Sequence, residues 1–233
     1  MAELHNRIAL ESKFAVRLSR LSSKHRRELV KLMGNPPDIA RVPPKFWEKV
    51  ERETEAALAL LLLLLFGESA RQHGASRSII GDTAEMWAQR RAQFVASSYT
   101  ATSQERAANF AARLDSPSTT LKSINAEALK VFGPERSANI AVSETTKAAS
   151  AGAEEAIGAT VGFSEQDTWF TREDRRVCPV CYPLHRTPRS VWSARYPGGP
   201  GPEVHPGCRC YIEYASEKRP AKKTSPRRKK FAK

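Results

Sequence analysis

The only four cysteines in 233 residues, Cys178, Cys181, Cys208 and Cys210, lie in one stretch from Asp174 to Cys210, together with His185 and His205. Cys178-Pro-Val-Cys181 is a C-x-x-C turn, stiffened by Pro179, that aims two thiolates at one centre. His205-Pro206-Gly207-Cys208 repeats the two-residue gap with an imidazole in the first place. Two such turns supply four nitrogen and sulfur ligands, which suits tetrahedral Zn²⁺. Cys210 is a fifth candidate. In an extended segment Cys208 and Cys210 face the same side, so C-x-C can supply the second pair instead. The expected ligands are Cys178, Cys181 and two of His205, Cys208 and Cys210, and spacing does not choose among the three.

Other chemistry for these thiols is disfavoured. Paired disulfides need an oxidising compartment, and the chain opens Met-Ala-Glu-Leu-His-Asn-Arg, without the apolar core of a secretory leader. A redox C-x-x-C opens a helix after a strand, and here Pro183 follows at once. A thiolate-rich set is coordinatively closed, as in structural metal sites, whereas a catalytic metal needs an open position. His185 reads as a solvated loop residue. The chain has no glycine-rich phosphate loop, no Ser/His/Asp spacing and no recognisable pair of catalytic carboxylates, so no catalytic residue is assigned. Glu144 and Glu154-Glu155 read as a solvated helix face.

The segments that must carry this cluster are mostly helical. Residues 1 to about 33 place Ile8, Phe14, Ala15, Leu18, Leu21, Leu29 and Leu32 on one stripe, and Gly34-Asn35-Pro36-Pro37 ends it. Pro43-Pro44 opens a second helix from about Lys45 to Phe66, with Gly67 as its stop. Its run Ala56–Phe66 is about eleven residues, far short of the ~20 a spanning helix needs, and is expected to be a fully buried segment, with a partner-facing apolar patch as the second reading. A third helix is expected from Asp82 or Thr83. The capping-box form Thr102-x-x-Glu105 predicts a fourth, Thr119–Phe132 a fifth, and Glu135–Ile157 a sixth with Gly158 as its stop. After Gly162 short strands are expected around Trp169, Phe170, Val177, Val191, Trp192, Tyr196, Tyr211, Ile212 and Tyr214. The predicted class is α+β: an all-α N-terminal region, then a small zinc-stapled α+β module.

Formal net charge is +13. Residues 216–233 hold nine Lys and Arg against Glu217 alone, a local +8. That segment is low in apolar residues and is expected to be disordered by itself. Lys222, Lys223, Arg227, Arg228, Lys229 and Lys230 are its candidate contacts to DNA, made through phosphates without sequence preference.

Two segments together resemble a known family. One is Phe132–Gly152, F-G-P-E-R-S-A-N-I-A-V-S-E-T-T-K-A-A-S-A-G; the other is Trp169 followed by D-R-R-V-C-P-V-C-Y-P-L-H from Asp174 and H-P-G-C-R-C from His205. Their order and separation are similar to the MuF-like domain of bacteriophage minor head, or head-morphogenesis, proteins, over about residues 121–214. Val142-Ser143 stands where that family usually has Arg-Thr, and Arg186 where it usually has Gly. The resemblance implies a non-enzymatic minor capsid protein at the portal vertex inside the phage head, assembled in the host cytoplasm. Its expected partners are the portal protein, double-stranded DNA, and major capsid or scaffold proteins as further candidates. The implied division is residues 1–118 for partner association, 119–215 for the MuF-like module and 216–233 for the basic tail. The competing class is a zinc-dependent nucleic-acid-binding protein or nuclease. A nuclease needs a second His/Asp metal set, and a finger-type reader needs a helix after the C-x-x-C; neither pattern is evident.

Overall fold

The computed structural model describes residues 6–172 and 178–215. The tail lysines and arginines named above, and Asp174 to Val177, lie outside the described residues.

Five long helices come first: α1 (Arg7–Met33), α2 (Pro44–Gln72), α3 (Arg77–Arg113), α4 (Leu121–Val131) and α5 (Pro134–Thr160). They are followed by β1 (Thr168–Phe170), β2 (Thr187–Pro188), α6 (Arg189–Trp192) and β3 (Tyr211–Glu213). The strands form an antiparallel sheet in the order β2-β1-β3, with Trp169 paired to Thr187 on one side and Ile212 on the other. The fold is therefore α+β, with a helical N-terminal region and a small C-terminal sheet. Among the described residues no helix is long and apolar enough to cross a membrane.

Helix α5 is the central element, packed on both α1 and α2. Its contact with α2 is so close that a Cβ on Gly152 would lie 2.3 Å from the Phe66 carbonyl oxygen. Below that contact Phe14, Leu18, Leu58, Leu62, Ala92, Ala96, Ala141 and Ala148 fill one core. At the far end Phe132 stacks on Trp47 and meets Tyr99 and His25, joining α1, α2, α3 and the α4–α5 turn. The helices before and after residue 118 thus share apolar cores.

Several local expectations are corrected. Residues 77–113 form one helix, not two. Ala84, Ala88, Ala92 and Ala96 repeat every fourth residue along its buried face, and this small-residue stripe lets α3 lie along α2. Thr102 does not cap; its hydroxyl donates back to the Ser98 and Tyr99 carbonyls at 2.8 and 3.2 Å, as threonine does inside helices. Gly67 and Gly158 do not stop their helices. A lone glycine costs a helix only about 1 kcal/mol, and beyond the first the helix goes on to bury Ser69 and Ala70; α5 runs on to Thr160, and Gly162 takes the left-handed turn at φ 76°. The leucine run is not fully buried: Leu58, Leu62 and Leu65 face inward, while Leu60 and Leu64 are 45% and 61% exposed. Ile8, expected on the inward stripe of α1, is also exposed. Val191 and Trp192 belong to α6, not a strand, with the Trp192 indole N–H donating to the Asp167 carbonyl at 3.0 Å.

Candidate metal centre

Four short elements bring the cysteines together. Cys178 and Cys181 form a turn, the Cys181 amide donating to the Cys178 carbonyl (3.1 Å) and lying 3.3 Å from its sulfur. The turn runs into a 3₁₀ segment, Tyr182–Leu184. His205 and Cys208 form the second turn, closed by the Cys208 amide on the His205 carbonyl at 3.2 Å. Cys210 immediately precedes β3. Trp169 on β1 lies between the two halves, in a core with Ile157, Cys181, Leu184, Trp192, Cys208, Cys210 and Ile212.

Two overlapping sets of donor atoms result. Those of Cys178, Cys181 and His205 lie within 4.8 Å of one another, and so do those of Cys181, Cys208 and Cys210. Neighbouring ligands of a tetrahedral zinc stand about 3.6 to 3.8 Å apart by bond lengths, so groups close enough to hold a metal ion are present. All four cysteines are unbridged.

His205 is set up as a ligand. Its Nδ1 lies 2.8 Å from the Pro206 carbonyl, which can only accept, so Nδ1 carries the proton. Nε2 then offers a lone pair towards Cys181 Sγ, 3.0 Å away, and this is how metal-binding histidines are oriented by their other nitrogen.

The sulfurs are coupled. Hydrogen bonds from Cys181 and Cys210 draw the Cys208 thiol down to about 2, and the same bond with Cys208, then that with Cys210 and burial, pushes Cys181 far up. Cys210 is drawn down by Cys181, but Cys208 and burial outweigh this and raise it to about 12. Sulfurs this close resist ionising together in the absence of a cation. A divalent ion removes that limit, because a ligating thiol is deprotonated outright.

The cluster is gripped by residues that spacing did not single out. The Gly207 amide donates to Ser143 Oγ at 2.8 Å, and the Thr146 hydroxyl donates to the Cys208 carbonyl. Arg7, almost wholly buried, donates to Thr146 Oγ1 and, at 3.2 Å, to the Arg209 carbonyl, and it pairs with Glu11 at 2.7 Å. Asp167, fully buried, accepts from the amides of Ser164 (2.9 Å) and Ala215 (3.0 Å) and so ties β1 to the end of β3. The available signal was polar: Ser143, Thr146 and Arg7 are hydrogen-bonding residues on otherwise apolar helix faces.

Glu144 is not on a solvated face. It is 4% exposed and takes a two-pronged ion pair from Arg91 of α3 at 2.8 and 2.9 Å. Arg91 and Lys147 also reach Glu203, at 2.9 and 3.3 Å, which fixes the loop before His205. Glu154 is largely buried too; burial raises its carboxyl pKa against the pull of Arg189. His185 is half-buried, its Nδ1 accepting from the Thr171 amide at 3.2 Å beside the Phe170 ring. It lines up with β1 and is not among the metal-capable groups.

No protein-family profile, curated protein sequence or solved structure matches this chain.

Proposed function

We propose that this chain is a structural assembly protein of a phage head, a minor capsid protein acting at the portal vertex, whose C-terminal unit is locked by one structural zinc ion. The supporting observation is the meeting of the two segments that carry the family resemblance. They lie some sixty residues apart in sequence, yet Ser143 and Thr146 of the helix segment hold Gly207 and Cys208 of the H-P-G-C-R-C segment. The resemblance thus falls on residues that pack as one unit.

Zinc is proposed because the donors are thiolates and an imidazole, gathered in two overlapping triads that share Cys181. Four such ligands close the coordination sphere, so the ion joins the two turns and its role is structural. The helical region offers the partner surface, including the outward face of α2 with Leu60 and Leu64. The basic tail is assigned to the packaged DNA. The experiment is co-expression with the portal protein encoded in the same phage or prophage genome. A complex that survives size-exclusion chromatography supports the proposal. Failure to co-elute, together with absence of the chain from purified particles, would sink it.

A further inference from the structure

We infer that the metal is held by Cys178, Cys181, His205 and Cys210, and that Cys208 is a buried thiol outside the ligand set. This rests on the structural-metal reading above and settles the choice that spacing leaves open. Proximity does not choose between the two, because Cys208 and Cys210 each lie within 4.8 Å of Cys181 and neither joins the group of Cys178, Cys181 and His205.

The first argument is space. A cavity of about 20 Å³, room for one water-sized body, is lined by Cys178, Cys181, His205 and Cys210 with Thr171, Arg172, Gly207 and Arg209. Four of the five donors border it, and Cys208 does not. Three thiolates and one neutral imidazole around Zn²⁺ leave one net negative charge, and two of the bordering residues are arginines, whose sign is complementary.

The second argument is an orphaned donor. Trp169 Nε1 is fully buried and has no close acceptor. The sulfur it faces is that of Cys210, in the same core. A buried N–H without a partner is costly, and a metal-bound thiolate keeps lone pairs that can accept from it. Cys210 as ligand therefore gives the indole a function, that of a supporting contact to a coordinating sulfur.

The third argument concerns Cys208 itself. Its side chain is fully buried within the Trp169–Trp192 core. Its N–H is committed to the His205 carbonyl and its carbonyl to Thr146.

The test uses the full-length chain loaded with cadmium-113 in place of zinc. Scalar couplings should run from the metal to the β-protons of Cys178, Cys181 and Cys210 and to the His205 ring, with none to Cys208. Coupling to Cys208, in place of Cys210 or alongside it, overturns the assignment while leaving a structural metal in place. In parallel, Cys208→Ala should keep one zinc per chain and the wild-type absorption of the cobalt form. Cys210→Ala should weaken zinc binding by more than the roughly 100-fold that loss of a supporting contact costs. The reverse pattern overturns the assignment. A wild-type chain that purifies without metal and takes up no added zinc overturns the metal reading itself, and the ligand set with it.

Discussion

Ser143 on α5 accepts a hydrogen bond from the amide of Gly207 at 2.8 Å, across 64 residues of sequence. Beside it Thr146 donates to the Cys208 carbonyl and receives Arg7. One turn of a long helix therefore carries the backbone hydrogen bonds of the metal-binding loop. The loop has too little regular structure to satisfy them itself.

Ser143→Ala should leave the Gly207 N–H without a partner and destabilise the chain by about 1–3 kcal/mol. Thr146→Val should cost more, because it also leaves the buried Arg7 guanidinium short of an acceptor. Urea denaturation of the zinc-loaded proteins measures both. A Thr146→Val protein as stable as wild type would show that the grip is incidental.

Removal of the metal should act locally. Structural zinc contributes about 10–16 kcal/mol of apparent binding free energy in small peptides, while the helical cores are built without it. Cys178→Ser or chelation should abolish the near-ultraviolet signal of Trp169 and Trp192 and spare most of the helical far-ultraviolet signal. Simultaneous loss of both signals would mean that the helices depend on the metal.

Two glycines on α2 and α5 should respond in opposite directions. Gly152→Ala places a methyl 2.3 Å from the Phe66 carbonyl oxygen, so the helices must part, at about 1–3 kcal/mol for overpacking. Gly67→Ala meets nothing within 4 Å and should stabilise the helix interior by about 0.5–1 kcal/mol. The comparison is the shift in urea midpoint for the two variants; shifts of the same sign contradict the packing described.

Stability should fall with pH below neutrality. His25 has no exposed surface, and burial, outweighing its contact with Glu53 at 2.9 Å, lowers its pKa from 6.5. The unfolded chain then binds the proton more readily, so this contribution is complete above 6.5 and is lost as pH falls towards the folded value. Glu53 acts in the same sense at lower pH: burial raises its pKa, but hydrogen bonds from Lys24 and His25 outweigh this and hold it below 4.5. Urea midpoints for wild type should drop between pH 7.5 and 5.5, and His25→Gln should be flatter over that range. A variant with the wild-type slope would remove His25 as the cause.

The tail should dominate any DNA binding. Each phosphate neutralised contributes a log–log salt slope of about −0.9, so six contacts give roughly −5. Deleting residues 216–233 should abolish most of this affinity and leave zinc content unchanged. Equal slopes for intact and truncated protein would assign DNA contact to the folded part.

The sequence alone determined the α+β order of elements, the place where metal-binding groups gather, the C-terminal end of α1, the start of α2 and, within two residues, both ends of α4. These follow from local rules: apolar periodicity, proline and glycine punctuation, and close spacing of soft ligands. It predicted a break within α3 because Thr102-x-x-Glu105 satisfies a local capping pattern. Only the packed partner reveals that the buried face runs on unbroken past Thr102, through Tyr99, Ser103, Ala107 and Phe110, the last two in one core with Phe46 and Val50 of α2. Glu144 looked like surface because a carboxylate on a helix usually is; Arg91, 53 residues away, makes its burial tolerable. The ligand set shows the same division. Cys208 and Cys210 are equivalent by spacing, and what separates them is which sulfur borders the cavity and faces the Trp169 indole. Such choices depend on contacts between segments far apart in the chain, where burial and partner geometry, not residue type, set the energy of each group.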